Sequence, residues 1–155
     1  LIFMLMQTDQ TYGAVSFTVH TGQLELPLKL TFPQGLVGLP DAKVATLQKL
    51  PDQEPFMWLS FEGLAEPINF LVIEPNGFVS NYSPELFDQD ADELEITASG
   101  DAFVLNIVTL RDTVPASASV NLTGPIIVSR RTLQAKQVVI SNYMGHRSPY
   151  ILGEA

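Results

Sequence analysis

Residues 120–140 read VNLTGPIIVSRRTLQAKQVVI, two apolar runs separated by a polar, cationic segment. Val120, Leu122, Ile126 and Val128 form the first run, and Val138, Val139 and Ile140 the second. β-Branched runs of this kind are strands that must pair. Ser129 to Lys136 carries Arg130, Arg131 and Lys136 and suits a solvated hairpin tip. Gly124-Pro125 falls inside the first run. Proline cannot donate to a sheet ladder, so the chain there bends, bulges or lies at an edge. A bent strand leading into a hairpin can turn the corner of a barrel. Alone such a hairpin is marginal in water, so the remaining chain must supply the sheet that it completes.

The preceding sequence does supply strands. Gly13 to Val19 places Val15, Phe17 and Val19 on one face and is punctuated by His20-Thr21-Gly22. Leu24, Leu26, Leu28 and Leu30 alternate with Glu25, Pro27, Lys29 and Thr31, the pattern of a half-buried strand that Pro27 confines to an edge. Thr31 to Leu36 reads as a tight turn, and Asp41 as the cap of one helical turn over Ala42 to Ala45. Ala45 to Leu50, Pro55 to Phe61 and Ile68 to Ile73 are short strands separated by turn-formers, which implies an antiparallel meander. Phe78 to Tyr82 reads as an exposed aromatic loop. Ser83 then caps a helix with Pro84 at its first position and Glu85 near its positive end. Leu86, Phe87, Leu94 and Ile96 give that region an apolar side. Asp101 to Leu110 is the longest strand, and Thr113 to Ser119 a small-residue loop. Phe56, Trp58, Phe70 and Phe103 are assigned to the core. The expectation is an all-β, small antiparallel β-barrel-like single domain over residues 1–155, with one or two short helices.

Charge is informative because it is uneven. The formal net charge is −9, yet no Lys or Arg occurs from Leu50 to Leu110, a segment holding twelve of the seventeen acids. The flanks hold all eight cations against five acids, so they are +3 and the middle is −12. A block this one-sided favours a basic partner over mere solubility and disfavours direct nucleic-acid binding. No apolar run approaches the ~20 residues that span a bilayer, and Leu1 to Met6 is too short for a signal-peptide core. A start without Met points to a trimmed chain, with Met4 or Met6 as candidate first residues. The absence of cysteine removes disulfides and thiolate chemistry and fits a reducing cytoplasm. An acidic domain of this kind gives no reason to expect more than a monomer.

Catalytic and metal signatures are missing. His20 and His146 read as turn or surface residues, and no G-x-S-x-G elbow, phosphate loop or dinucleotide fingerprint occurs. Asp88, Asp90 and Asp92 mimic the opening of a calcium loop, but the sixth position is Glu93 where glycine is needed and the twelfth is Ser99. No cofactor and no metal are expected. Asn121-Leu122-Thr123 is formally a glycosylation sequon, of no consequence in a cytoplasmic protein. Asn121, beside the Gly-Pro bend, reads first as a backbone-bonding turn residue and second as a partner contact.

Six spaced fragments resemble the flagellar assembly factor FliW family: FPQGLVGLPD at 32–41, EPFMWLSF at 54–61, INFLVIEP at 68–75, YSPEL at 82–86, FVLNIVTL at 103–110 and NLTGPIIVSRRTLQAKQVV at 121–139. Their order and spacing together cover about 32–149. Ala135 stands where the family often has glycine, Asn76-Gly77 replace an aromatic loop after Pro75, and the N-terminal stretch is longer than usual.

The resemblance implies a non-catalytic cytoplasmic regulator. It would bind flagellin and antagonise CsrA, the RNA-binding repressor of flagellin translation, so that export of flagellin relieves repression of its synthesis. An acidic protein is suited to find a basic, RNA-binding partner quickly. The expected contact residues are Glu74, Phe78, Tyr82, Glu85 and Asp88, with Asn121 second to its structural role. Phe78 and Tyr82 would be apolar anchors, although packing beneath the helix suits both equally. Two alternatives remain: mainly a flagellin chaperone using an apolar groove, or a small β-barrel enzyme with an unidentified pocket.

Overall fold

The computed structural model describes residues 14–16, 24–113, 116–147 and 149–152. Its strands run β1 (Ala14–Ser16), β2 (Leu28–Thr31), β3 (Val44–Lys49), β4 (Met57–Glu62), β5 (Ile68–Ile73) and β6 (Glu85–Phe87). The helix α1 (Asp88–Glu93) follows, then β7 (Ala102–Arg111), β8 (Ser117–Val120), β9 (Ile126–Ser129), β10 (Ala135–Gln137) and β11 (Tyr150–Ile151). Single 3-10 turns occupy Ser99–Asp101 and Tyr143–Gly145. The main sheet has the order β10-β9-β7-β5-β4-β3-β2, with β8 and β11 branching from β7, and its strand pairs are antiparallel. β1 and β6 form a separate ribbon.

The ten-residue β7 organises this sheet. Alternate side chains of a strand face opposite sides, and β7 is buried on both. Ala102, Val104 and Val108 enter one core with Ile73, Leu86, Leu94, Ile96, Ile127 and Ile140. Phe103 and Leu105 enter a second core with Leu30, Phe32, Leu47, Leu59, Phe61 and Val128. The meander of β2 to β5 therefore covers one face of β7, and β6, α1 and the segment after β10 cover the other.

The segment opposite β7 contains the Gly-Pro bend. Ser117–Val120 pairs with Val108 to Arg111, and Ile126–Ser129 pairs with Ala102 to Leu105. Residues 121–125 thus lie opposite only Asn106 and Ile107, and they bulge out of the ladder. The expected pairing of the two apolar runs is present. β9 and β10 form the hairpin, and Val138 N–H and Ile140 N–H continue it onto the carbonyls of Pro125 (3.0 Å) and Thr123 (3.1 Å). The sheet does not close, so barrel-like is a loose description. Its two ends meet at an isolated bridge, Thr31 with Gln134, where Thr31 N–H donates to Leu133 O at 3.1 Å.

Several sequence expectations need correction. Asp41 caps no helical turn: Ala42 N–H bonds Leu39 O at 3.1 Å and the chain then enters β3. No helix starts at Ser83-Pro84. Glu85 lies instead in β6, where its N–H donates to Asn142 Oδ1 (3.0 Å) and its carbonyl accepts from Ser141 N–H (2.7 Å), and the helix begins only at Asp88. Ser117 to Ser119, expected in a loop, belong to β8. Trp58 is 38% exposed because the layer that covers β7 does not extend over that face of β4. Phe87 is likewise half exposed, while Phe56 and Phe70 are only partly buried. Of the first expected strand, residues 14–16 pair with β6, whereas Phe17 and Val19 lie outside the described residues.

Candidate functional site

The acidic block divides into two environments. At the first, α1 packs beside the β9–β10 hairpin. Lys136, whose side chain is mostly buried, bonds Asp90 at 2.7 Å and also pairs with Glu93, while Arg131 pairs with Glu95. Gln34 Nε2 donates to the other Glu93 oxygen at 3.1 Å. Burial pulls the Lys136 ammonium down, but its bonds to Asp90 and Glu93 outweigh this and hold it above its ordinary value. The bond from Lys136 holds the Glu93 carboxyl below its usual range. Asp101 is also held low, by the Thr97 and Ala98 N–H groups at 3.0 and 3.1 Å and by the Thr97 hydroxyl. The cations read from sequence as a solvated tip thus neutralise much of this corner. Asp90 and Asp92 lie on a helix with Asp88, not in a calcium loop, and among the described residues no group of three metal-ligating side chains is arranged to hold an ion.

Tyr82 and Asn121 hold the bulge. Tyr82 is buried, which corrects its expected exposure. Its hydroxyl donates to Leu122 O at 2.6 Å and accepts from Asn106 Nδ2 at 3.1 Å. Asn106 Nδ2 also reaches Asn121 O at 3.0 Å, and Asn121 Oδ1 accepts from Gly124 N–H at 2.9 Å. Burial drives the Tyr82 phenol well above its ordinary value, with the Asn106 bond opposing. A fixed, neutral hydroxyl is therefore the pin for the bend, and His146 stacks edge-on against its ring at 5.0 Å. Asn106 was not singled out from sequence, although it is the one polar side chain in the FVLNIV run.

Glu74 and Phe78 occupy the second environment. β5 ends at Ile73, and the turn through Pro75 bonds Phe78 and Val79 N–H to Pro75 O at 3.0 and 2.9 Å. This places Glu74 and the 47% exposed Phe78 on a groove of about 310 Å³ with Leu24, Leu26, Phe56 and Met57. Lys49 and Glu54 also line it. Burial raises the Glu74 carboxyl to about 7, with the charge of Arg130 opposing. Among the described residues no hydrogen bond or salt bridge reaches that carboxylate. Glu85 is partly buried in β6 and Asp88 exposed at the start of α1, so neither joins the groove. The alternating leucines read as one strand, but only Leu28 and Leu30 lie in β2, and the groove residues Leu24 and Leu26 precede it. Their role as a groove wall was not legible, since it depends on where the turns after β3 and β5 meet.

The sequence matches the FliW protein family over residues 12–149. The flagellar assembly factor FliW of Leptospira biflexa is 32% identical over 133 residues, covering 81% of this chain and 84% of the relative. The namesake from Bdellovibrio bacteriovorus is 36% identical over 136 residues (85% and 76%), and that from Bacillus subtilis 31% over 125 residues (79% and 86%). A crystal structure of the flagellar assembly factor FliW superimposes with a TM-score of 0.68 at 25% identity, covering 89% of this chain and 94% of that one. Fold, family match and relatives agree: this chain belongs to the FliW family of flagellar assembly factors.

Proposed function

We propose that the chain acts in flagellar assembly as a non-catalytic, cytoplasmic, single-domain monomer that binds flagellin and antagonises the repressor CsrA. The observation that carries this reading is the groove: exposed Phe78 and partly buried leucines stand beside a carboxylate that no hydrogen bond or salt bridge reaches among the described residues. An apolar anchor with one adjacent charge is the usual make-up of a protein-recognition spot. Glu74 and Phe78 supply the anchoring contacts in this reading. Glu85 and Asp88, outside the groove, raise the rate at which a basic partner approaches in this reading. Tyr82 and Asn121 serve the bend.

The test offers purified flagellin and CsrA to the protein, separately and then together. Binding of both, with one displacing the other, is the expected result. Binding of neither overturns the proposal. Complexes that survive high salt point to the groove as the main attachment, because exposed charge contacts are screened over ~8 Å at physiological ionic strength.

A further inference from the structure

We infer that the groove takes a linear partner segment in which an aliphatic side chain is followed by Lys or Arg, the aliphatic group between Phe78 and Leu26 and the cation against Glu74. This rests on the reading of the chain as a protein-binding factor and names the chemistry that the site selects.

Shape argues for a chain. A volume of about 310 Å³ lies at the lower limit of ligand pockets, roughly 300 Å³, which is room for one or two aliphatic side chains. A second depression of about 350 Å³ continues it across Leu24, Leu26 and Lys49 to Pro27 and Gln48. The two form a run along the lead-in to β2, and β2 is a terminal strand of the sheet. An elongated surface beside a sheet edge fits extended peptide better than a compact molecule.

Charge argues for a cation. Glu74 is the part-buried acid of the groove, and among the described residues no donor satisfies its carboxylate. Glu54 adds a second negative charge at the rim, Lys49 one positive charge, and Arg130 acts on Glu74 only through space. Burial has already raised the Glu74 carboxyl to about 7. A bound cation would favour its ionised form and displace the proton near neutral pH.

The experiment is a titration of the ¹⁵N-labelled protein with capped seven-residue peptides, followed by amide shifts. The probes share two adjacent leucines flanked by Gly and Ser, followed by Lys in one peptide and Glu in the other. The expected shifts cluster at Leu24, Leu26, Glu74 and Phe78. At pH 8 the Lys peptide binds about threefold more tightly than the Glu peptide, as a half-exposed ion pair supplies. That preference shrinks at pH 6 and vanishes in Glu74→Gln, while Phe78→Ser weakens both peptides. Equal binding of the two peptides at pH 8, or shifts elsewhere, overturns the inference. Flagellin and CsrA are titrated in parallel. If both bind wild type and the Glu74→Gln/Phe78→Ser double variant equally, the groove assignment fails while the proposed function stands. If neither binds but the Lys peptide does, the proposed function fails and the groove chemistry stands.

Discussion

The corner between α1 and the hairpin and the groove beneath Phe78 draw on the same acidic stretch, yet they use it in opposite ways. At the corner Asp90, Glu93 and Glu95 are matched by Lys136 and Arg131, two cations distant in sequence. At the groove Glu74 is partly buried among apolar side chains and, among the described residues, is met by the through-space charge of Arg130 and by no hydrogen bond or salt bridge. Charge density along a sequence therefore does not equal charge available to a partner. In the groove, part-buried Glu74 stands in an apolar setting, where an incoming cation is screened less than on an open surface.

The substitution with the largest expected effect is Gly35→Ala, in the turn that delivers Gln34 to the corner. Gly35 has φ +68°, and a Cβ there would stand 2.5 Å from Pro40 O, a backbone atom. A loss of about 3 kcal/mol follows from strain and clash together, and thermal unfolding should show it as a fall of roughly 6–12 °C. Lys136→Ala comes next, because it leaves Asp90 and Glu93 facing each other in a partly buried site. A cost of about 2 kcal/mol is expected, readable by urea titration at pH 7. The same variant weakens the acid dependence of wild type. Glu93 is held low in the folded state, so its stabilisation is complete above its unfolded value and is lost as pH falls through its folded one.

Glu74 has the opposite sign. A carboxyl raised from 4.5 to about 7 on folding contributes stability that is full below 4.5 and lost as pH rises through about 7. Glu74→Gln should therefore raise stability at pH 8 by about 1 kcal/mol, allowing for solvent screening of a half-exposed group, and change little at pH 4.5. Parallel melts at the two pH values check it, and equal shifts at both would remove the contrast between the regions. The smallest effect belongs to Arg131→Ala. Its pair with Glu95 is exposed on both sides, so less than ~0.5 kcal/mol is expected, and less still in high salt.

The sequence was most readable where one strand carried the signal alone. The apolar decapeptide of β7, the meander after Leu50 and the hairpin around Arg131 follow from alternation and turn-formers. It was least readable where a residue's role depends on a distant neighbour. Ser83-Pro84 has the local chemistry of a helix start, but the backbone of Glu85 is claimed by β1, Ser141 and Asn142, residues far from it in sequence. Tyr82 closes a loop that reads as exposed and is nonetheless buried, because Asn106 and the carbonyl of Leu122 supply the partners that its hydroxyl requires. Lys136 has the composition of a solvated tip and is drawn inward by two carboxylates. Of the six expected contact residues, Glu74 and Phe78 share a groove, Glu85 and Asp88 stand outside it in β6 and at the start of α1, and Tyr82 and Asn121 support the bulge opposite β7.

The most direct test of the contrast is the affinity of flagellin and CsrA for three proteins measured side by side at physiological salt: wild type, Glu74→Gln/Phe78→Ser and Glu85→Lys/Asp88→Lys. The account predicts that the groove pair weakens binding about tenfold or more, as loss of an anchor does. The Glu85/Asp88 pair should mainly slow association, by an amount that fades as salt is raised. Loss of binding in Glu85→Lys/Asp88→Lys with binding intact in the groove pair would contradict the account and return recognition to the acidic surface outside the groove.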